Sequence, residues 1–146
     1  MIFADILGGF DTLFSDQYAV YFVVLAAFVG IVFGALPGLT AAAAIAMMLP
    51  ILIAYNDEIG GLAGLAFLYV VGKSGRYGGS IAAILFNTPG TAASAATMQD
   101  GYPMTQSGRA GKALKTATVA SAFGDYFGEI VLIFGAVSIA AFTRKF

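Results

Sequence analysis

The 146-residue chain has no cysteine and no histidine. Without cysteine it offers neither a disulfide framework nor a thiolate metal site. Without histidine it loses the commonest general base and metal ligand. Charge is scarce too: 10% of residues are charged, against about a quarter in an ordinary globular domain. A formal net charge of −1 gives no argument for nucleic acid or an acidic partner. Residues 1–17 carry Asp5, Asp11 and Asp16 but no Lys or Arg, so the positive region of a secretory signal is missing. What the chain has is apolar surface, at 60% hydrophobic residues and a mean hydropathy of +0.89. Nineteen glycines in such a chain suit transmembrane helices, where small residues let backbones approach closely. Composition therefore predicts an all-α integral membrane protein.

The apolar pattern divides the chain. Ile2, Phe3, Ile6, Leu7, Phe10, Leu13 and Phe14 recur at helical spacing, which predicts a surface-lying amphipathic helix over 1–17, with a frayed terminus as the alternative. Between Asp16 and Asp57 lie 40 uncharged residues, about 60 Å of helix, or two crossings of a ~30 Å hydrocarbon core. Pro37-Gly38 falls at the middle, predicting spans at about 18–36 and 39–55. A third span is expected over 59–76, extended by snorkelling of Lys73 and Arg76. A broken hairpin is expected over 77–99, a polar loop over 100–115, and a last span at about 116–143. The basic segments 73–76 and 109–115 both favour the cytoplasm. Residues 77–99 then form a re-entrant hairpin turning near Pro89, with Asp57-Glu58 outside. Arg144 and Lys145 fall outside as well, against the same rule.

Residues 77–114, YGGSIAAILFNTPGTAASAATMQDGYPMTQSGRAGKAL, carry the functional signal. They are apolar enough to enter a bilayer, yet Asn87-Thr88-Pro89-Gly90-Thr91 interrupts them. Broken backbone at membrane depth survives only inside protein or against a water-filled cavity. Discontinuous helices of this kind build binding sites in secondary transporters. A second break, Pro37-Gly38-Leu39-Thr40, resembles the first: in both, a Thr positioned to cap a helix precedes a run of small residues. Such helix starts suit a carboxylate, since their free N–H groups carry roughly +0.5 charge. The alternative is that Pro-Gly is merely a turn and that alanine-rich sequence aligns with itself cheaply.

Other residues carry two readings each. Gly78, Gly79 and Ser80 permit close approach of a ligand, with Ser80 as a hydroxyl ligand, or of another helix. The latter is preferred for Gly30-xxx-Gly34-xxx-Gly38, Gly60-xxx-Gly64 and Gly124-xxx-Gly128. Asp100 caps a turn or ligates a cation. Asp125 and Glu129 share a helix face, and carboxylates at membrane depth are functional candidates. Enzyme readings fail. Gly72-Lys73-Ser74 imitates the end of a phosphate-binding loop, but Phe67 stands where the first glycine belongs. A Ser80–Lys73 hydrolase pair has only its residue types in its favour.

GALPGLT at 34–40, Leu49-Pro50 and the whole of 77–114 resemble the large membrane subunit of the tripartite tricarboxylate transporters; Gly9-Phe10 and Ser121 to Gly124 also fit. Members of that family are several times longer, so the resemblance implies an N-terminal portion of such a subunit. It implies a symporter for citrate or related carboxylates in a bacterial inner membrane, driven by sodium or protons, with no organic cofactor. It also implies two partners, a small membrane subunit and a periplasmic solute-binding protein. Gly38, Leu39, Thr40, Ser80, Asn87, Thr88, Pro89, Gly90 and Thr91 are the expected substrate contacts, and Ser80, Asn87 and Asp100 the candidate cation ligands. Asp125 and Glu129 stand where the family pattern favours small or apolar residues. The rival readings are a passive anion channel, which conducts without an imposed cation gradient, and a non-transporting assembly subunit.

Overall fold

The computed structural model describes residues 8–11, 14–15 and 17–143. Over the described residues 17–143, six helices follow one another: α1 (Gln17–Ala35), α2 (Ala41–Ala54), α3 (Asn56–Ile59), α4 (Gly61–Phe86), α5 (Ala92–Gln106) and α6 (Ala110–Thr143). No strand occurs among the described residues. Of the amphipathic segment expected over 1–17, residues 8–11 and 14–15 are helical, with exposed Phe10 and Phe14 rings stacked at 6.1 Å. Ile2, Phe3, Ile6, Leu7 and Leu13 lie outside the described residues, as do Arg144 and Lys145.

Helix α4 is the hub. Alongside it α1 runs in the same direction, with Phe22 edge-on to Phe67 and Gly30, Gly34 and Ala35 farther along against Val71 to Gly78. Glycine makes this contact possible. A Cβ on Gly34 would sit 2.1 Å from the Gly75 carbonyl oxygen, and one on Gly78 2.5 Å from that of Ile31. Helix α2 returns antiparallel, placing Ala41 on Gly75 and Ile45 on Gly72. Ala26, Ala44, Leu52, Phe67 and Val71 form the buried core between these three helices. Dispersion between closely approaching backbones holds such helices together where the surroundings are as apolar as the side chains.

Most large apolar side chains instead face outward: Val24 and Phe28 on α1, and Phe123, Phe127 and Phe134 on α6. An apolar surface this extensive belongs against lipid or other helices. Over Ala110–Gly135, α6 is long and apolar enough to cross a membrane, and none of its apolar window is buried. Ala19–Ala35 and Ala41–Ala54 are shorter apolar helices.

Several boundaries differ from those expected. The third span and the first arm of the broken segment are one helix, α4, of 26 residues or about 39 Å. Lys73 and Arg76 therefore sit mid-helix. There the Lys73 charge is met by carboxylates of α6. The break falls at Asn87–Thr91, where expected, but the arm after it does not return antiparallel. Gly90 and Ser94 lie at Gly79, while Gly101 and Thr105 lie at Ile84, so α5 restarts beside α4 and runs the same way. The expected loop at 100–115 shrinks to residues 107–109. Asp100-Gly101-Tyr102-Pro103 is helical because Gly101 is buried on Ile84 and the Thr105 hydroxyl donates to the Ile84 carbonyl at 2.8 Å. Helix α6 begins at Ala110, not near 116, and runs back antiparallel to α4. Among the described residues the glycine contacts expected at Gly38, Gly60, Gly64, Gly124 and Gly128 are not made, since a Cβ at each would meet open space.

Candidate functional site

Two chain breaks define the site. Helix α1 ends at Ala35, and Gly38, with φ +88°, turns the chain toward Thr40. The Thr40 hydroxyl caps α2 by accepting from the Ala43 N–H at 3.2 Å. At the second break Asn87 ends α4 in the left-handed region, φ 58°, a conformation that asparagine tolerates better than most residues. Its N–H and that of Thr88 both donate to the Ala82 carbonyl. After Pro89 and Gly90, Thr91 caps α5 in a reciprocal box. Its hydroxyl accepts from Ser94 N–H at 3.1 Å, and the Ser94 hydroxyl accepts from Thr91 N–H at 2.8 Å. Serine takes the place of the usual Glu or Gln in this box. Ser94 is 1% exposed, so the cap also anchors α5 against α4.

The two breaks lie side by side. A Cβ on Gly90 would stand 3.1 Å from Gly79 Cα, 3.6 Å from the Gly34 carbonyl oxygen and 3.7 Å from that of Leu39. The first break thus presents Leu39 to Gly90 through its carbonyl rather than an amide. Close helix packing explains Gly78 and Gly79, which face α1 and the Gly90–Ser94 segment respectively.

Between α4 and α6 runs a groove of three adjoining cavities, walled also by α5 in two of them and by Ile45 of α2 in the third, with polar and apolar side chains in each. One, of about 240 Å³, is lined by Lys73, Arg76, Tyr77, Ser80, Thr91, Ala93, Thr97, Ser121, Gly124 and Asp125. The next, also about 240 Å³, shares Ser80, Thr97 and Ser121 and reaches Asp100 and Met104. The third, about 520 Å³, shares Lys73, Arg76 and Asp125 and extends to Tyr69, Glu129 and Leu132. Polar contacts tie α6 across this groove. Lys73 Nζ reaches Asp125 Oδ1 at 3.0 Å and Glu129 Oε1 at 2.8 Å. The Tyr69 hydroxyl donates to Glu129, and the Tyr77 and Thr118 hydroxyls pair at 2.6 Å.

Of the residues expected from sequence, Ser80 and Thr91 meet in one cavity, and Ser80 and Asp100 in another. Gly90 stands behind Thr91 against Gly79. Asn87, Thr88 and Pro89 are exposed, and with Gly38, Leu39 and Thr40 they line none of the three cavities. Among the described residues no group of three or more Asp or Glu is placed to hold a metal. Sequence reasoning missed Arg76, Tyr77, Thr97 and Ser121 as neighbours of Ser80. The four-residue spacing of Arg76 and Ser80 on α4 was the available signal, since such residues share a helix face.

Glycine-packed helices, outward apolar side chains and a groove that opens beside the second helix break define an α-helical membrane protein. The model of the tripartite tricarboxylate transporter TctA family matches residues 20–146, and the chain belongs to that family. The family is a membrane component of transporters and not an enzyme. The chain is also 37% identical over 138 residues to an uncharacterized 52.8 kDa protein in the TAR-I ttuC' 3'region of Agrobacterium vitis. That match covers 94% of this chain and 26% of the relative, so the chain spans about a quarter of the relative's length. No solved structure matches.

Proposed function

We propose that the chain is the N-terminal portion of the large, multi-pass membrane subunit of a carboxylate importer in a bacterial inner membrane. The subunit moves tricarboxylates or related carboxylates with a coupling cation, sodium or proton. It works with a small membrane subunit and a periplasmic solute-binding protein. Family membership supports the class of cargo. The single observation that carries the site is the meeting of Ser80 with Thr91, the cap of α5, in a polar cavity beside the break. In the first turn of α5 the Thr91 hydroxyl takes the Ser94 amide and the Thr91 carbonyl takes that of Ala95. The amides of Ala92 and Ala93 are left for solvent or an anion. In this reading Gly38, Leu39 and Thr40 support the Gly90–Thr91 start from behind, and Ser80 and Asp100 serve a cation.

The test is uptake by the complete system, reconstituted in proteoliposomes against a panel of mono-, di- and tricarboxylates, with and without a sodium gradient. Carboxylate accumulation that collapses when both sodium and proton gradients are dissipated is expected. Equilibration without accumulation would make the protein a passive channel, and no substrate dependence would make it an assembly subunit.

A further inference from the structure

We infer that Arg76 is the cation that receives a substrate carboxylate, in the cavity of about 240 Å³ between α4, the start of α5 and α6. The hydroxyls of Ser80, Thr97 and Ser121 form the polar wall around the bound group. This assignment rests on the carboxylate-import reading and names the charged residue that the reading lacks.

Charge accounting leads to Arg76. Three charged side chains line the cavity: Lys73, Arg76 and Asp125. Lys73 is committed, at 3.0 Å from Asp125 and 2.8 Å from Glu129, and Asp125 is committed to it in return. Arg76 makes no ion pair and no hydrogen bond among the described residues, although it lines both this cavity and the larger one beside it. An anion entering the groove therefore meets one uncommitted positive charge. That charge is a guanidinium, whose planar fork matches a carboxylate with two parallel N–H···O bonds.

The hydroxyls sort in the same way. Tyr77 is paired with Thr118, and Thr91 accepts the Ser94 amide. Ser80, Thr97 and Ser121 make no hydrogen bond within the described chain and all face this cavity. Three free hydroxyls beside one free guanidinium suit a small polyoxygenated anion. The volume agrees, being below the ~300–1,000 Å³ of sites for drug-sized ligands. Lys73 plays a different part. Paired with two carboxylates, it has no charge to spare for a substrate and ties α6 to α4.

Citrate binding to the purified complete subunit, measured calorimetrically in lipid nanodiscs, tests the assignment. Arg76→Gln is expected to weaken binding about ten- to a hundredfold, the range for a lost charge-assisted hydrogen bond. Arg76→Lys, which keeps the charge but loses the fork, should fall between. Ser80→Ala, Thr97→Ala and Ser121→Ala should each weaken it a few-fold. Wild-type affinity in a well-folded Arg76→Gln protein would overturn the assignment while leaving carboxylate import standing. If Arg76→Gln does not fold, wild-type affinity in Arg76→Lys overturns it equally. Absence of binding by the wild-type subunit to every carboxylate of the panel, together with no uptake by the complete system, would sink the import reading and this assignment with it.

Discussion

Replacing Gly34 by alanine adds one methyl group at the tightest backbone contact between α1 and α4. The new Cβ would lie 2.1 Å from the Gly75 carbonyl oxygen, 2.9 Å from its carbon and 3.0 Å from Cα. All three are backbone atoms, so no side chain can rotate away. Restoring an ordinary 3.4 Å contact requires the helices to part by about 1.3 Å at this point. Overpacking of this kind costs about 1–3 kcal/mol, and a contact made wholly of backbone belongs at the upper end. Alanine returns roughly 0.5–1 kcal/mol through its better helix propensity. The net loss is about 2 kcal/mol, near a thirtyfold change in the folding equilibrium. Gly64→Ala is the matched control: it is also helical, but its Cβ meets nothing within 4 Å. There the propensity gain stands alone, and a stabilisation of roughly 0.5–1 kcal/mol is expected. Unfolding of the complete subunit in mixed micelles of rising SDS fraction, followed by helical circular dichroism, compares the two. A Gly34→Ala protein as stable as Gly64→Ala would refute the Gly34–Gly75 contact and the packing argument built on it.

Thr91→Ala and Ser94→Ala should each cost about 1 kcal/mol as lost caps. Because the two bonds form one box, the double variant should cost clearly less than the sum, measured by the same titration. Lys73→Gln leaves Asp125 and Glu129 without their counter-charge and should destabilise by roughly 1 kcal/mol, given how exposed the pairs are. Adding Asp125→Asn and Glu129→Gln should recover most of that loss, and a triple variant no better than Lys73→Gln would refute the ion-pair account. For topology, single cysteines at Asn87 and Ser107 should react with an impermeant thiol reagent from the cytoplasmic side, and one at Asp57 from the other. Ser74 is a poor reporter, because its hydroxyl donates to the Val70 carbonyl within the α1–α4 contact. Labelling of Asn87 and Ser107 from opposite faces would contradict an α5 that runs beside α4 in the same direction.

The sequence by itself determined the helical class, the two breaks and the caps after them. These are local properties: proline removes a donor, left-handed Gly38 and Asn87 turn the chain, and Thr40 and Thr91 take the first free amides. Tertiary structure alone decided what each glycine and each charge is for. Gly34 and Gly64 sit in the same small-residue pattern, yet one touches a backbone carbonyl and the other nothing. Gly101 reads as a turn residue until Ile84 is laid against it, after which burial and the Thr105 bond carry the helix through Pro103. Lys73 and Arg76 look like equivalent anchors three residues apart. Only the antiparallel return of α6 brings Asp125 and Glu129 to the first and leaves the second uncommitted. No local rule reaches across 52 residues, the separation of Lys73 from Asp125, because that pairing depends on which helix packs against which.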